Sequence, residues 1–210
     1  MITVLSYNIR QWTRDTNPSK PTYWRKRAKE IRALIERENP DIILLQEATF
    51  PMVGLCIPKG YKRATGCSIS HHVFVKDGFA DIEGRSWHLH YAEVRLRTAD
   101  ARRFTVVSVH STWNEKANKD TCEAIFKLSR NRQYALVAGG DWNNDPNLER
   151  EELYPLQVTD TAQTTFKNWK TGITANLDFF ALSEWAKAEA KVVAKSSFGM
   201  SDHLPVVLTL

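Results

Sequence analysis

The octet Gly139-Gly140-Asp141-Trp142-Asn143-Asn144-Asp145-Pro146 is dense in side chains that can do chemistry, and it follows the β-prone run Tyr134-Ala135-Leu136-Val137-Ala138. A strand that ends in glycines and Asx residues presents its next side chains in a polar loop. Asp141 offers a carboxylate to orient or deprotonate a water, and Asn143 offers an amide N–H to an oxyanion. The octet by itself also reads as an Asx-rich turn. Its pattern recurs along the chain. Asn8, Glu47, His110, Asp178 and Asp202-His203 all stand at or just beyond the end of an apolar run. If those ends converge, they form a carboxylate-rich site with two histidines. Asp178, with Leu177 and Phe179 on either side, needs a partner because an isolated buried charge is costly. His203 is the candidate partner.

The elements that must position these residues alternate strands with a few helices. Strands are expected at Ile2–Ile9, Asp41–Leu45, Tyr61–Val75, Trp87–Leu96, Phe104–His110, the Tyr134 run, Leu177–Leu182 and Val206–Leu210. Gly66, Gly78 and Gly84 punctuate the middle of the chain. Trp24, Ala28, Ile31 and Ile35 recur with helical spacing, so a basic amphipathic helix precedes Pro40, its charged side toward water. Ala117–Leu128 reads as a second helix and Glu184–Glu189 as a helical turn. Many strands with helices between and outside them predict two packed sheets flanked by helices.

Composition bounds the rest. A chain of 210 residues, 42% hydrophobic, suits one domain spanning 1–210. No apolar run approaches the roughly 20 residues of a membrane helix, and residues 1–8 do not read as a signal peptide. Cys56, Cys67 and Cys122 show no metal-ligand spacing and read as buried free thiols, so a cytoplasmic, reducing setting is expected. The net charge of +5 and pI near 9.1 suit a polyanionic partner. The cluster Arg95, Arg97, Arg102 and Arg103 reads equally as a phosphate contact or an exposed hairpin.

The ordered set Tyr7-Asn8, Leu45-Gln46-Glu47, Val109-His110, Gly140-Asp141-Trp142-Asn143, Leu177-Asp178-Phe179 and Ser201-Asp202-His203-Leu204-Pro205 resembles the endonuclease/exonuclease/phosphatase superfamily, the group of deoxyribonuclease I. The resemblance runs from first strand to last. It implies a four-layered α/β sandwich, two mixed β-sheets packed face to face with helices outside and the site at one edge of the sheets. It implies hydrolysis of phosphoesters with Mg²⁺, or Mn²⁺ in its place. Metal binding falls to Glu47, aided by Asn8 and Asp202. The catalytic roles fall to Asp141 for the attacking water, Asn143 for a phosphoryl oxygen, His203 oriented by Asp178, and His110 at the scissile phosphate or leaving oxygen.

The chain departs from the deoxyribonuclease I branch at its phosphate-clamping arginine, where Leu89 stands, with His88, His90 or Arg95 as substitutes. Arg95, Trp113 and Trp142 are accordingly the expected substrate contacts, with Trp169 as a further aromatic able to stack on bases. Core packing is the competing fate of each tryptophan. The leading expectation is a monomeric nuclease acting on nucleic acid without a membrane or protein partner. The alternative is a metal-dependent phosphatase or phosphodiesterase on a small-molecule, lipid or protein-linked phosphoester, and a binding module with a dead site comes third.

Overall fold

A computed structural model describes residues 1–66, 70–183, 188–193 and 196–210. The first half supplies β1 (Thr3–Asn8), α1 (Trp24–Glu38), β2 (Ile42–Gln46), α2 (Met52–Cys56), β3 (Tyr61–Arg63), β4 (His72–Lys76), β5 (Ala80–Trp87), β6 (Tyr91–Thr98) and β7 (Arg103–His110). The second supplies α3 (Glu115–Ser129), β8 (Ala135–Asp141), α4 (Pro146–Glu152), β9 (Gln157–Thr159), β10 (Phe166–Lys167), β11 (Thr174–Ala175), β12 (Asp178–Leu182), β13 (Glu189–Val192) and β14 (Val206–Thr209). One six-stranded sheet has the order β13-β14-β1-β2-β4-β3 and the other β5-β6-β7-β8-β12-β9, while β10 and β11 form a separate small hairpin. Both large sheets are mixed: β1 pairs parallel to β2, and β7 parallel to β8, within otherwise antiparallel ladders.

Strand periodicity explains why these sheets stack. In β1, Leu5 and Tyr7 face α1 and α2 in one buried cluster, while Val4 points to the opposite face. There Val4, Leu44, Val73 and Val75 meet Val94, Leu96, Val106, Val137 and Phe180 of the second sheet. On that sheet's far side, Val107, Val109, Leu136 and Phe179 pack with Cys122 and Ile125 of α3. Three apolar interfaces thus separate four layers. Each fully buried Val, Leu or Ile contributes roughly 1.5–3 kcal/mol.

Helix α1 buries Trp24, Ala28, Ile31 and Ile35 as its spacing predicts, and ends on a left-handed Asn39 whose N–H bonds Ile35 O at 2.8 Å. Its basic side does not all face water. Arg27 is fully buried, donating to the carbonyls of Thr22, Ile9, Arg10 and Met200 and pairing with Asp15 at 3.1 Å. Asp145 caps α4 by accepting from Asn147 N–H, with Pro146 at the first helical position. The polar loop expected after Asp141 is thus short and runs into a helix.

Further boundaries differ from expectation. The expected Tyr61–Val75 strand is two strands, β3 and β4, with an irregular segment between them. Gly84 lies inside β5 at a register shift rather than ending a strand, because the Arg95 guanidinium crosses it where a Cβ would sit 2.5 Å from Nη2. The chain is already strand at Glu189, while residues 184–187 of the expected helical turn, and Cys67, lie outside the described residues. Cys56 and Cys122 are buried and free. No described helix is long and apolar enough to cross a membrane.

Candidate active site

Sheet register assembles the site. Asp141, the last residue of β8, stands opposite His110 at the end of β7 on one side and Asp178 at the start of β12 on the other. The two glycines before it permit this close approach. A Cβ on Gly140 would lie 1.9 Å from Val109 O, and one on Gly139 would lie 2.3 Å from the Phe180 ring. In the facing sheet, Asn8 stands opposite Gln46, and Glu47 follows at once with a left-handed φ of 50°. Gln46 Nε2 reaches across the layers to Ser108 Oγ at 3.0 Å, so a polar bridge joins the sheets beside the site.

Asp178 and His203 are both buried, and His203 Nδ1 lies 2.9 Å from Asp178 Oδ2. The other ring nitrogen is 3.5 Å from Asp141 Oδ2. Burial opposes charging this imidazole, but the carboxylates of Asp178 and Asp141 outweigh it and lift its pKa to about 10. The two carboxylates thus favour the protonated ring, with Nδ1 facing Asp178 and Nε2 facing Asp141. The Thr165 hydroxyl accepts the N–H groups of Leu177 and Asp178, fixing the strand end, and Phe166 packs on the His203 ring at 4.9 Å.

Asp141 is the hub. Its Oδ2 accepts from Asn8 Nδ2 at 2.9 Å and has His110 Nε2 at 3.7 Å, while Oδ1 accepts the Asn143 N–H at 3.0 Å. Asn143 donates through Nδ2 to Ser111 O and also has left-handed backbone, φ 53°. Glu47 accepts from Gln11 N–H at 3.1 Å and from Asn8 Nδ2 at 3.4 Å, with Arg14 Nη1 at 3.7 Å. Desolvation works against its charge, yet His110 and Arg14 hold its carboxyl below the usual range.

These groups open on a cleft of about 960 Å³ whose walls include Glu47, His110, Asp141, Asn143, Asp202 and His203. Asn8 and Asp178 lie beneath it, buried. Trp113 rims the cleft and is 68% exposed, as a stacking residue should be. Two expected substrate contacts fall elsewhere. Trp142 is wholly buried, stacked on Phe179 at 4.9 Å with its indole N–H bonded to Phe179 O. Its neighbour Asp141 ends a strand, so the alternation of side chains sends Trp142 to the helix-covered face. Arg95 stands opposite Thr105, well back along β7 from His110, and lies over Gly84 on the outer sheet surface. Its basic neighbours Arg97, Arg102 and Arg103 pair with Asp81, Glu83 and Asp100, so the cluster is a solvated hairpin.

The cleft also contains Arg10, whose only sequence signal is its place two residues after Asn8. Its guanidinium pairs with Asp202 and Asp15 and lies 4.2 Å above the Trp169 ring. His71, buried edge-on against His110 with centroids 5.7 Å apart, is a second residue that strand-end reasoning does not reach.

The donor set suits a hard divalent cation: carboxylate and amide oxygens at the floor of an open cleft, where such an ion keeps several waters. Glu47 is the best placed donor. Asn8 turns its amide nitrogen toward the carboxylates, and its Oδ1 accepts the Arg10 N–H at 3.0 Å. Asp202 is engaged by Arg10 and by Ser201 Oγ. The acidic-histidine trio Asp141, Asp178 and His203 is compact enough to ligate a cation, its ligand atoms within 4.8 Å of one another. When protonated, His203 supplies the positive charge between the two carboxylates of that trio.

Between residues 5 and 203 the sequence matches the model of the Endonuclease/Exonuclease/phosphatase family. The chain belongs to this family. Its members are phosphoester hydrolases, and the two face-to-face mixed sheets are the family's fold. Among solved structures, a family protein from Bacteroides thetaiotaomicron superposes with a TM-score of 0.81 at 17% identity, covering 99% of this chain and 93% of that one. A mannosyl-6-phosphatase from the same organism gives 0.76 at 17% identity, covering 100% and 99%. A beta toxin from Staphylococcus aureus gives 0.76 at 14% identity, with 100% and 99% covered. At these identities the likeness establishes fold. No curated protein matches the chain.

Proposed function

We propose that this family member is a divalent-metal-dependent phosphodiesterase that cleaves nucleic acid. The observation that carries the reading is the row His110, Asp141 and Asp178 across three adjacent strands, with His203 between the two carboxylates and Glu47 facing them. Asp141 orients a water and takes its proton. The His203 imidazolium, held by Asp178, donates toward a phosphoryl oxygen as negative charge builds there. Asn143 and His110 border the same space, Asn143 for a phosphoryl oxygen and His110 for the leaving oxygen. Glu47 would hold the cation, flanked by Asn8 and Asp202; when bound, the ion supplies charge stabilisation at the phosphate worth several kcal/mol. The nucleic-acid part of the reading is supported by the cationic and aromatic rim, Arg10, Arg14, Lys170, Trp113 and Trp169.

The deciding assay offers plasmid DNA, single-stranded DNA, RNA, a chromogenic phosphodiester and a phosphomonoester, each with Mg²⁺, Mn²⁺ or chelator. Cleavage of nucleic acid that needs the metal, and falls on the order of 10²-fold or more in Glu47→Ala, is the expected result. Full activity in chelator removes the metal from the mechanism. Hydrolysis of the monoester alone moves the protein to the phosphatase alternative, the activity for which its mannosyl-6-phosphatase neighbour is named.

A further inference from the structure

Beside the catalytic cleft lies a second pocket of about 310 Å³ that shares Arg10, Arg14, Trp169 and Lys170 with it and adds Lys20 and Asp15. Its charge is one-sided. Asp15, its only carboxylate, is already matched by Arg10 Nε and Arg27 Nη2, each at 3.1 Å. Lys20 and Lys170 are exposed, and among the described residues neither forms an ion pair. Arg14, half exposed, bridges the two spaces, with Nη1 at 3.7 Å from Glu47 in the catalytic cleft. The wall between them is stiff: the Trp169 indole N–H is bonded to Phe198 O at 2.8 Å, and Arg10 is stacked on its ring.

The geometry points to a second phosphate site in this pocket, formed by Arg14, Lys20 and Lys170, which receives the phosphate next to the scissile one in a nucleic-acid strand. A substrate with a single phosphate reaches only the Glu47–His203 end. One with neighbouring phosphodiesters reaches both, and unpaired lysines at the mouth of a pocket gain by neutralising it. The site therefore selects a polynucleotide strand over a small phosphoester. This rests on the nuclease reading above and names which part of the substrate that reading must accommodate.

The test compares the wild type with Lys20→Ala/Lys170→Ala on a short single-stranded oligonucleotide and on bis(p-nitrophenyl) phosphate, which carries one phosphate. The expected result is an oligonucleotide-to-diester ratio of kcat/KM about tenfold lower in the double variant, carried by KM. A second readout does not need turnover. In an Asp141→Asn background with chelator, fluorescence anisotropy of the labelled oligonucleotide should show a salt slope shallower by about 0.7 when the two lysines are removed. Lys20→Arg/Lys170→Arg should restore both. If wild type cuts the oligonucleotide but neither ratio nor slope moves, the second site is overturned and the nuclease reading stands. If wild type hydrolyses the diester and neither binds nor cuts the oligonucleotide, the nuclease reading falls and takes the second site with it.

Discussion

His203 is held between two carboxylates, with Asp178 at 2.9 Å and Asp141 at 3.5 Å, and this arrangement has a measurable signature. Removing Asp178's charge frees the ring to rotate and lowers its hold on the proton, so Asp178→Asn should disable the same group that His203→Ala deletes. Each single variant is expected to lose on the order of 10²–10⁴ in kcat/KM, and the double variant little more than the worse single. Additive losses would show that the two residues work separately. The backbone carries a related mark. Arg10, Glu47 and Asn143, all non-glycine, have φ near +50° and all line the cleft, where such conformations persist only if their surroundings hold them. Most of these residues were legible because a polar side chain directly after an apolar strand has few structural uses. Trp142 was not, since sequence offers the same indole for stacking on a base and for filling a core. Position separates the two: the alternation carried on from β8 sends Trp142 under α3, whereas Trp113, in the connection between β7 and α3, is 68% exposed.

At the scale of elements, the site depends on where strands end and on what pins the ends. The β1 end that bears Asn8 and Arg10 is tied to α1 and to Met200 by a single buried guanidinium, since Arg27 donates to Ile9 O, Arg10 O and Met200 O. Removing it leaves four carbonyls without that donor, those of Ile9 and Met200 in a buried setting, and takes one of the two guanidinium partners from Asp15. Arg27→Ala is expected to cost about 3–5 kcal/mol in urea unfolding. Arg27→Lys should recover only part of this, because one ammonium cannot reproduce the planar fork. Full stability of the lysine variant would mean that charge alone matters there. The helix itself was readable from Trp24, Ala28, Ile31 and Ile35, but Arg27's inward turn was not, because helical spacing puts it beside the apolar stripe and does not say what lies across from it. Gly84 was misread for a similar reason: glycine marks a strand end or a bulge alike, and the Arg95 guanidinium across the strand decides between them.

For the molecule as a whole, two packed sheets flanked by helices followed from the alternation of strands and helices, and the four-layered sandwich from the family resemblance, whereas the surroundings that shift its buried histidines needed coordinates. His71 and His72 are buried, and desolvation lowers both from 6.5 to about 4. The unfolded chain protonates these rings near pH 6.5 while the folded chain does not. Their contribution to stability is thus complete above pH 6.5 and is lost as pH falls toward 4. His203 behaves oppositely. Burial alone would lower its pKa, but Asp178 and Asp141 raise it from 6.5 to about 10, so its contribution is complete below pH 6.5 and is lost as pH rises through 10. Each histidine tilts the stability curve by at most about 1.4 kcal/mol per pH unit. Opposed shifts of this kind predict a maximum close to neutrality with limbs falling on both sides. Urea unfolding followed by tryptophan fluorescence, in chelator from pH 5 to 9, measures both limbs. His72→Gln keeps a donor near Ala48 O and removes one of the two titrations, so it should lower the slope of the acid limb by about half and leave the alkaline one. His203→Gln should do the reverse. An acid limb as steep in His72→Gln as in the wild type would mean that the buried imidazole takes up its proton without unfolding the chain.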